Sequence, residues 1–183
     1  YTNLDSALYY AGLEFKLAES IDYKGYMGAA LNTQGVASFR QGNYKKALLY
    51  YKKQLKIIDT EAAKNRYFQK GKATCYNNIG NVYNIQGNYE ECLMYYQKSF
   101  KIFEEIGDKK GIAMTFSNIG SICFEQGDYA KSMDYYTESL KIYEEIVAKK
   151  GISKSLRNVG LIYKDQGNYQ KALEYLLKSK NLK

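Results

Sequence analysis

The sequence predicts an all-α solenoid of stacked antiparallel helix pairs, with four full repeats after an N-terminal half repeat. Three observations carry that expectation. A four-residue phrase recurs in register along the chain. A second glycine stands at a fixed distance before each occurrence. Apolar residues recur at helical spacing on both sides of every phrase.

The phrase reads Gln41-Gly42-Asn43-Tyr44, Gln86-Gly87-Asn88-Tyr89, Gln126-Gly127-Asp128-Tyr129 and Gln166-Gly167-Asn168-Tyr169, at offsets of 45, 40 and 40 residues. Seven residues before each phrase's glycine stand Gly35, Gly80, Gly120 and Gly160. Each phrase reads as a corner between two helices. Glycine accepts the left-handed backbone just past a helix end. Asn or Asp beside it can accept a backbone N–H bond and cap the next helix. The tyrosine then opens the second helix on its apolar side. In the third copy the first helix offers Ile112, Phe116, Ile119, Ile122 and Cys123. The second offers Tyr129, Met133, Tyr136, Leu140 and Tyr143. Neither helix buries its stripe alone, so neighbours must stack.

A second connector closes each repeat. Glu104 to Gly111 (Glu-Glu-Ile-Gly-Asp-Lys-Lys-Gly) reads as a stop, a cap and a restart. The next copy has Val147-Ala148 where that one has Gly107-Asp108, which predicts a less sharply broken helix end. The first connector, Asp59 to Gly71, is five residues longer. The expected division of the array 1–183 is an unpaired second helix over 3–20, then repeats at 25–60, 67–107, 109–148 and 150–182. At the C-terminus Leu173, Leu176 and Leu177 have no following repeat to cover them. The expectation is a native chain that continues beyond one or both ends or, failing that, self-association through open ends.

Composition bounds the chemistry. The chain has no proline, no tryptophan and no histidine. Without histidine there is no Ser-His or Cys-His nucleophile pair and no His-containing zinc motif. Cys75, Cys92 and Cys123 form no CxxC pair and read as small buried hydrophobes. The carboxylates fall in outward pairs such as Glu104-Glu105 and Glu144-Glu145. No phosphate loop follows a strand, because no strand pattern exists. No catalysis, metal or other cofactor is expected. No run of apolar residues is long enough to span a membrane. The compartment is left open between the cytoplasm, which is favoured, and the periplasmic ectodomain of a sensor protein.

The net charge of +8 is uneven. Residues 40–72 hold ten basic and two acidic residues, and 151–183 hold seven and two. Lys45, Lys52 and Lys56 share a helical face, with Lys46 and Lys53 beside it. A solvated outer wall is the favoured reading; docking of an acidic partner, anionic lipid or nucleic acid is the alternative. Most of the 21 tyrosines recur in register on apolar stripes and read as core with a wet hydroxyl end.

These residues resemble the tetratricopeptide repeat. That family's pattern has an aromatic, a Leu-Gly pair and a tyrosine in the first helix, then a small residue and an aromatic in the second. Copy two supplies Tyr76, Ile79-Gly80, Tyr83, Cys92 and Tyr96. Copy three supplies Phe116, Ile119-Gly120, Cys123, Ser132 and Tyr136. Copy four supplies Leu156, Val159-Gly160, Tyr163, Ala172 and Leu176. Copy one, with Leu31, Gln34-Gly35, Ser38, Ala47 and Tyr51, is weaker. The family's usual period is about 34 residues, its closing proline is missing here, and the longer period resembles arrays in cell-polarity adaptors and bacterial sensor kinases, cyclases and regulators.

The resemblance implies a right-handed solenoid whose first helices line a concave groove for a partner peptide or helix. By alignment the groove slots hold Asn32, Asn77, Asn78, Asn81, Ser117, Asn118, Ser121, Lys154, Arg157 and Asn158, all expected to be exposed. Asn78, Asn118 and Asn158 share one slot, and such a ladder could bond the backbone of an extended peptide. Bonds within the repeat are the equal alternative. Some family members grip a terminal carboxylate in these slots, but here Asn77 and Asn158 stand where two cations would. An input segment of a larger signalling protein is the rival to a free-standing binding module.

Overall fold

The computed structural model describes residues 3–62 and 65–182. Residues 63 and 64 of the first connector, and residues 1, 2 and 183 of the expected array, lie outside the described residues. Among those described, every regular element is a helix: α1 (Asn3–Ser20), α2 (Lys24–Arg40), α3 (Tyr44–Ala62), α4 (Arg66–Ile85), α5 (Tyr89–Glu105), α6 (Lys109–Glu125), α7 (Tyr129–Glu145), α8 (Lys149–Asp165) and α9 (Tyr169–Asn181). They form two compact units, α1 to α5 and α6 to α9.

In the first unit each helix packs on the next from α1 to α5, and α2 also meets α4. In the second unit α6 to α9 pack consecutively, and α6 meets α8. Within each unit tight corners turn the chain back on itself, so consecutive helices run antiparallel. The repeated phrase makes four of these corners. Gly42, Gly87, Gly127 and Gly167 all take φ near the left-handed value (75°, 75°, 78° and 76°). The following N–H then reaches back over the helix end: Asn43 N donates to Ser38 O at 2.9 Å, Asn88 N to Tyr83 O at 3.0 Å, Asp128 N to Cys123 O at 2.9 Å and Asn168 N to Tyr163 O at 2.8 Å. This double reversal satisfies carbonyls that the helix leaves orphaned. The side chains of Asn43, Asp128 and Asn168 accept from the N–H three residues on, capping the next helix, while Asn88 makes no such bond.

The break at Val147 corrects the expectation of a softer helix end. The α7–α8 corner is built like the others: Ala148 N donates to Tyr143 O at 2.8 Å, and Val147 itself takes a left-handed φ of 52°. Helix packing on both sides sets this corner, and a residue poorly suited to it complies. Asp22, at φ 48°, does the same between α1 and α2.

Buried clusters sit where the second helix of one repeat meets the first helix of the next. In the first unit Ala47, Tyr51, Cys75, Ile79 and Val82 form one buried cluster. In the second, Tyr136, Val159 and Ile162 form another. The register glycines make the crossings close. A Cβ on Gly80 would lie 2.6 Å from the Tyr96 ring, and one on Gly120 would lie 3.0 Å from the Tyr136 ring. Aromatic pairs back each crossing: Tyr83 stacks on Tyr95 with ring centres 5.5 Å apart, and Tyr163 stacks on Tyr175 at the same separation. The three cysteines are buried and none of them is in a disulfide.

Candidate functional site

The slots singled out in the sequence all lie on the first helices of the repeats, α2 and α4 in the first unit and α6 and α8 in the second. Helical spacing of three and four residues places them along one side of each helix. Their exposure differs from expectation. Asn77 and Ser117 are buried, and Asn158 is only 7% exposed. A residue that the alignment set at the open edge of the groove is in these cases drawn into the helix–helix contact. Asn32, Asn78, Asn81, Asn118 and Ser121 are half-buried, and Lys154 and Arg157 are exposed.

Several of these polar groups already serve the fold. In the first unit Asn78 Nδ2 donates to Asn32 Oδ1 at 2.9 Å, tying α4 to α2. Tyr96 Oη donates to Asn81 Oδ1 at 2.6 Å, which gives the hydroxyl of a buried tyrosine its partner. In the second unit Tyr136 Oη does the same with Ser121 Oγ at 3.0 Å. The Ser117 hydroxyl pairs with that of Ser139 at 2.8 Å. Asn81, Ser117 and Ser121 are therefore struts between the helices of a repeat. The Asn32–Asn78 pair differs, because one bond leaves each amide with further donor and acceptor capacity at a half-open surface.

On α8, Lys154 and Arg157 lie beside a cavity of about 270 Å³ that Lys149 and Lys150 also line. Packing around the ammonium and, second, the Arg157 charge hold the Lys154 pKa below the ordinary lysine value. On α3, Lys45, Lys46, Lys52, Lys53 and Lys56 are all exposed and form a basic stripe.

Among the described residues no group of His, Cys, Asp or Glu is placed to hold a metal ion. No helix among them is long and apolar enough to cross a membrane. Burial raises the thiol pKa of Cys75 far above its usual range, with the Asp59 charge adding to it, and Cys75 Sγ donates to Tyr51 O at 3.2 Å. A thiol held this way is a poor nucleophile.

Comparison with known proteins points one way. Tetratricopeptide repeat family models match residues 72–145 and, separately, 154–183. No curated protein matches the chain by sequence. Among solved structures, BtubC (BKLC) from P. vanneervenii superposes with a TM-score of 0.63 at 16% identity, covering 100% of this chain and 91% of that one. MamA gives 0.60 at 16% identity, covering 98% of this chain and 88% of the other. The apo form of RapI gives 0.76 at 20% identity over 98% of this chain, which spans only about half (48%) of RapI. At these identities the likeness is one of fold. With the recurring corners, the glycine crossings and the family matches taken together, the chain belongs to the tetratricopeptide repeat family.

Proposed function

We propose that the chain is a protein-interaction module that takes an extended segment of a partner along the first-helix face. The observation that carries this reading is the Asn32–Asn78 pair. It fixes two amides on neighbouring first helices, 2.9 Å apart, at a half-open surface. Preorganised amides can exchange N–H and C=O bonds with a peptide backbone and do not demand particular side chains. In the second unit Lys154 and Arg157 add positive charge on α8. Asn158 is too buried to be a rung of equal standing.

The test is a peptide array probed with wild type and with an Asn32→Ala/Asn78→Ala double variant, circular dichroism serving as the folding control. The reading expects the double variant to keep its helicity and lose most of the peptides that wild type retains. Undiminished binding by a folded double variant sinks it.

Self-association is a second reading, favoured by the exposed apolar side chains at both ends of the described chain. Tyr9, Tyr10, Leu13 and Leu17 on α1, and Leu173 and Leu177 on α9, are largely open. Glu14 and Glu19 flank the first set, and Lys171 and Lys178 flank the second. A head-to-tail contact between copies would pair both apolar area and charge. Light scattering over a concentration series decides it: a particle that stays monomeric at high concentration removes this reading.

A further inference from the structure

The fourth repeat turns cationic on a face where its predecessors are neutral. The register places Lys154 where Ala29, Thr74 and Met114 stand, and Arg157 where Asn32, Asn77 and Ser117 stand. Ala148 replaces Asp108, so the carboxylate that opens α6 has no counterpart at the start of α8. Lys150, Lys154 and Arg157 follow one another at four and three residues, which brings them to one side of α8.

Those three side chains and Lys149 line a cavity of about 270 Å³ between α8 and the end of α9, and no carboxylate lines it with them. Glu145, just before α8, pairs with Lys109, and Glu174 on α9 pairs with Lys178 at 2.7 Å. Two further lining residues hold the walls together. Ser153 Oγ donates to Ser179 O at 2.9 Å, and Ser179 Oγ donates to Ser153 O at 2.7 Å. Each hydroxyl proton is spent on the backbone, which leaves recognition to the cations. Packing around the Lys154 ammonium and, second, the Arg157 charge already hold the Lys154 pKa below the ordinary lysine value. Like charges crowded in this way are relieved when an anion arrives.

We infer that this cavity binds the phosphoryl group of a phosphorylated serine or threonine in a partner segment. At neutral pH a phosphomonoester carries a charge of about −1.5 to −2 and three acceptor oxygens. It can therefore engage the Arg157 fork and more than one ammonium together. A single carboxylate brings less charge and two oxygens, and leaves most of the cluster unmet. A membrane or a nucleic-acid backbone spreads its phosphates over a wide face, whereas these cations gather at one cavity. In naming a partner protein as the source, the inference rests on the interaction reading above, but the cavity can be tested apart from it.

The arginines of the chain are Arg40, Arg66 and Arg157, so their side-chain Nε–H signals can be followed singly by heteronuclear NMR. The probe is phosphoserine blocked as the N-acetyl methylamide, titrated at constant ionic strength, with blocked glutamate as the control. The expected result is a saturable shift of the Arg157 signal, with Arg40 and Arg66 unmoved, at an affinity about tenfold above that for glutamate. Lys154→Met keeps the Arg157 signal, replaces an exposed side chain, and should weaken binding about tenfold. Ala148→Asp should also weaken it while raising the melting temperature, so that loss cannot be assigned to unfolding. Phosphorylating serines in the peptides that the wild-type array retains should strengthen their capture, and Lys154→Met should remove the gain. No saturable Arg157 shift, equal affinity for glutamate, or a shift with inorganic phosphate or anionic vesicles that phosphopeptides do not reproduce overturns the inference. The blocked probe has no extended backbone to lay on the amide pair. A missing Arg157 shift therefore strikes the pocket alone, whereas undiminished array binding by Asn32→Ala/Asn78→Ala strikes the amide pair and leaves the pocket standing.

Discussion

At the scale of single residues, Val147 and Ala148 are where local chemistry and fold disagree most. Val147 is β-branched, sits at φ 52°, and is 74% exposed, so it gains little from burial. The equivalent corner at Gly107 takes φ 63° without a Cβ. Forcing a β-branched residue into that region costs about 1–3 kcal/mol. Ala148 compounds the cost, for it offers no side-chain cap, whereas Asp108 accepts from Gly111 N at 3.1 Å. Val147→Gly should therefore stabilise the chain by about 1 kcal/mol or more, and Ala148→Asp by about another 1 kcal/mol. Chemical denaturation of each variant measures both. Unchanged midpoints would mean that the corner relaxes away from this geometry in solution.

At the scale of elements, the crossing of α4 and α5 is set by Gly80 lying under Tyr96. A methyl there would sit 2.6 Å from the ring, and the tyrosine cannot swing away freely because its hydroxyl is tied to Asn81. Gly80→Ala should cost about 1–3 kcal/mol through overpacking, although alanine favours the helix by about 1 kcal/mol. A gain in stability on urea titration would show that propensity outweighs the crossing. These crossings and corners were readable from the sequence because they use residue types with one physical job: glycine for close approach or positive φ, Asn or Asp for a cap. The candidate site was less readable. Spacing places Asn77, Ser117 and Asn158 on the groove side, but a difference of one slot on a helix turns a side chain by about 100°. Only packing decides which slot is covered. The partnership of Tyr96 with Asn81 crosses fifteen residues and left no local mark.

At the scale of the whole molecule, a tyrosine-rich core makes stability depend on pH from the alkaline side. Burial raises the pKa of Tyr51, with the Cys75 charge second, and burial is also the leading cause of the raised values at Tyr95, Tyr136 and Tyr143. The Cys75 and Cys123 thiols are raised for the same leading reason. Each group stays neutral in the folded state at a pH where the unfolded chain already ionises. A raised folded-state pKa means that the contribution is complete below the unfolded value and is lost as pH rises towards the folded one. Unfolded thiols titrate at about pH 8.5 and tyrosines at about pH 10. The melting temperature should therefore hold steady from neutrality to about pH 8 and fall progressively above it. Tyrosinate absorbance, which lies to the red of the neutral ring, should appear in step with unfolding for the buried rings. Replacing Cys75 with Ala should reduce the earliest part of the decline, to which Cys123 also contributes, while leaving the tyrosine part. A melting temperature that stays flat through about pH 11, or buried tyrosines that ionise while the helices remain intact, would show that these rings are wetter than their packing indicates.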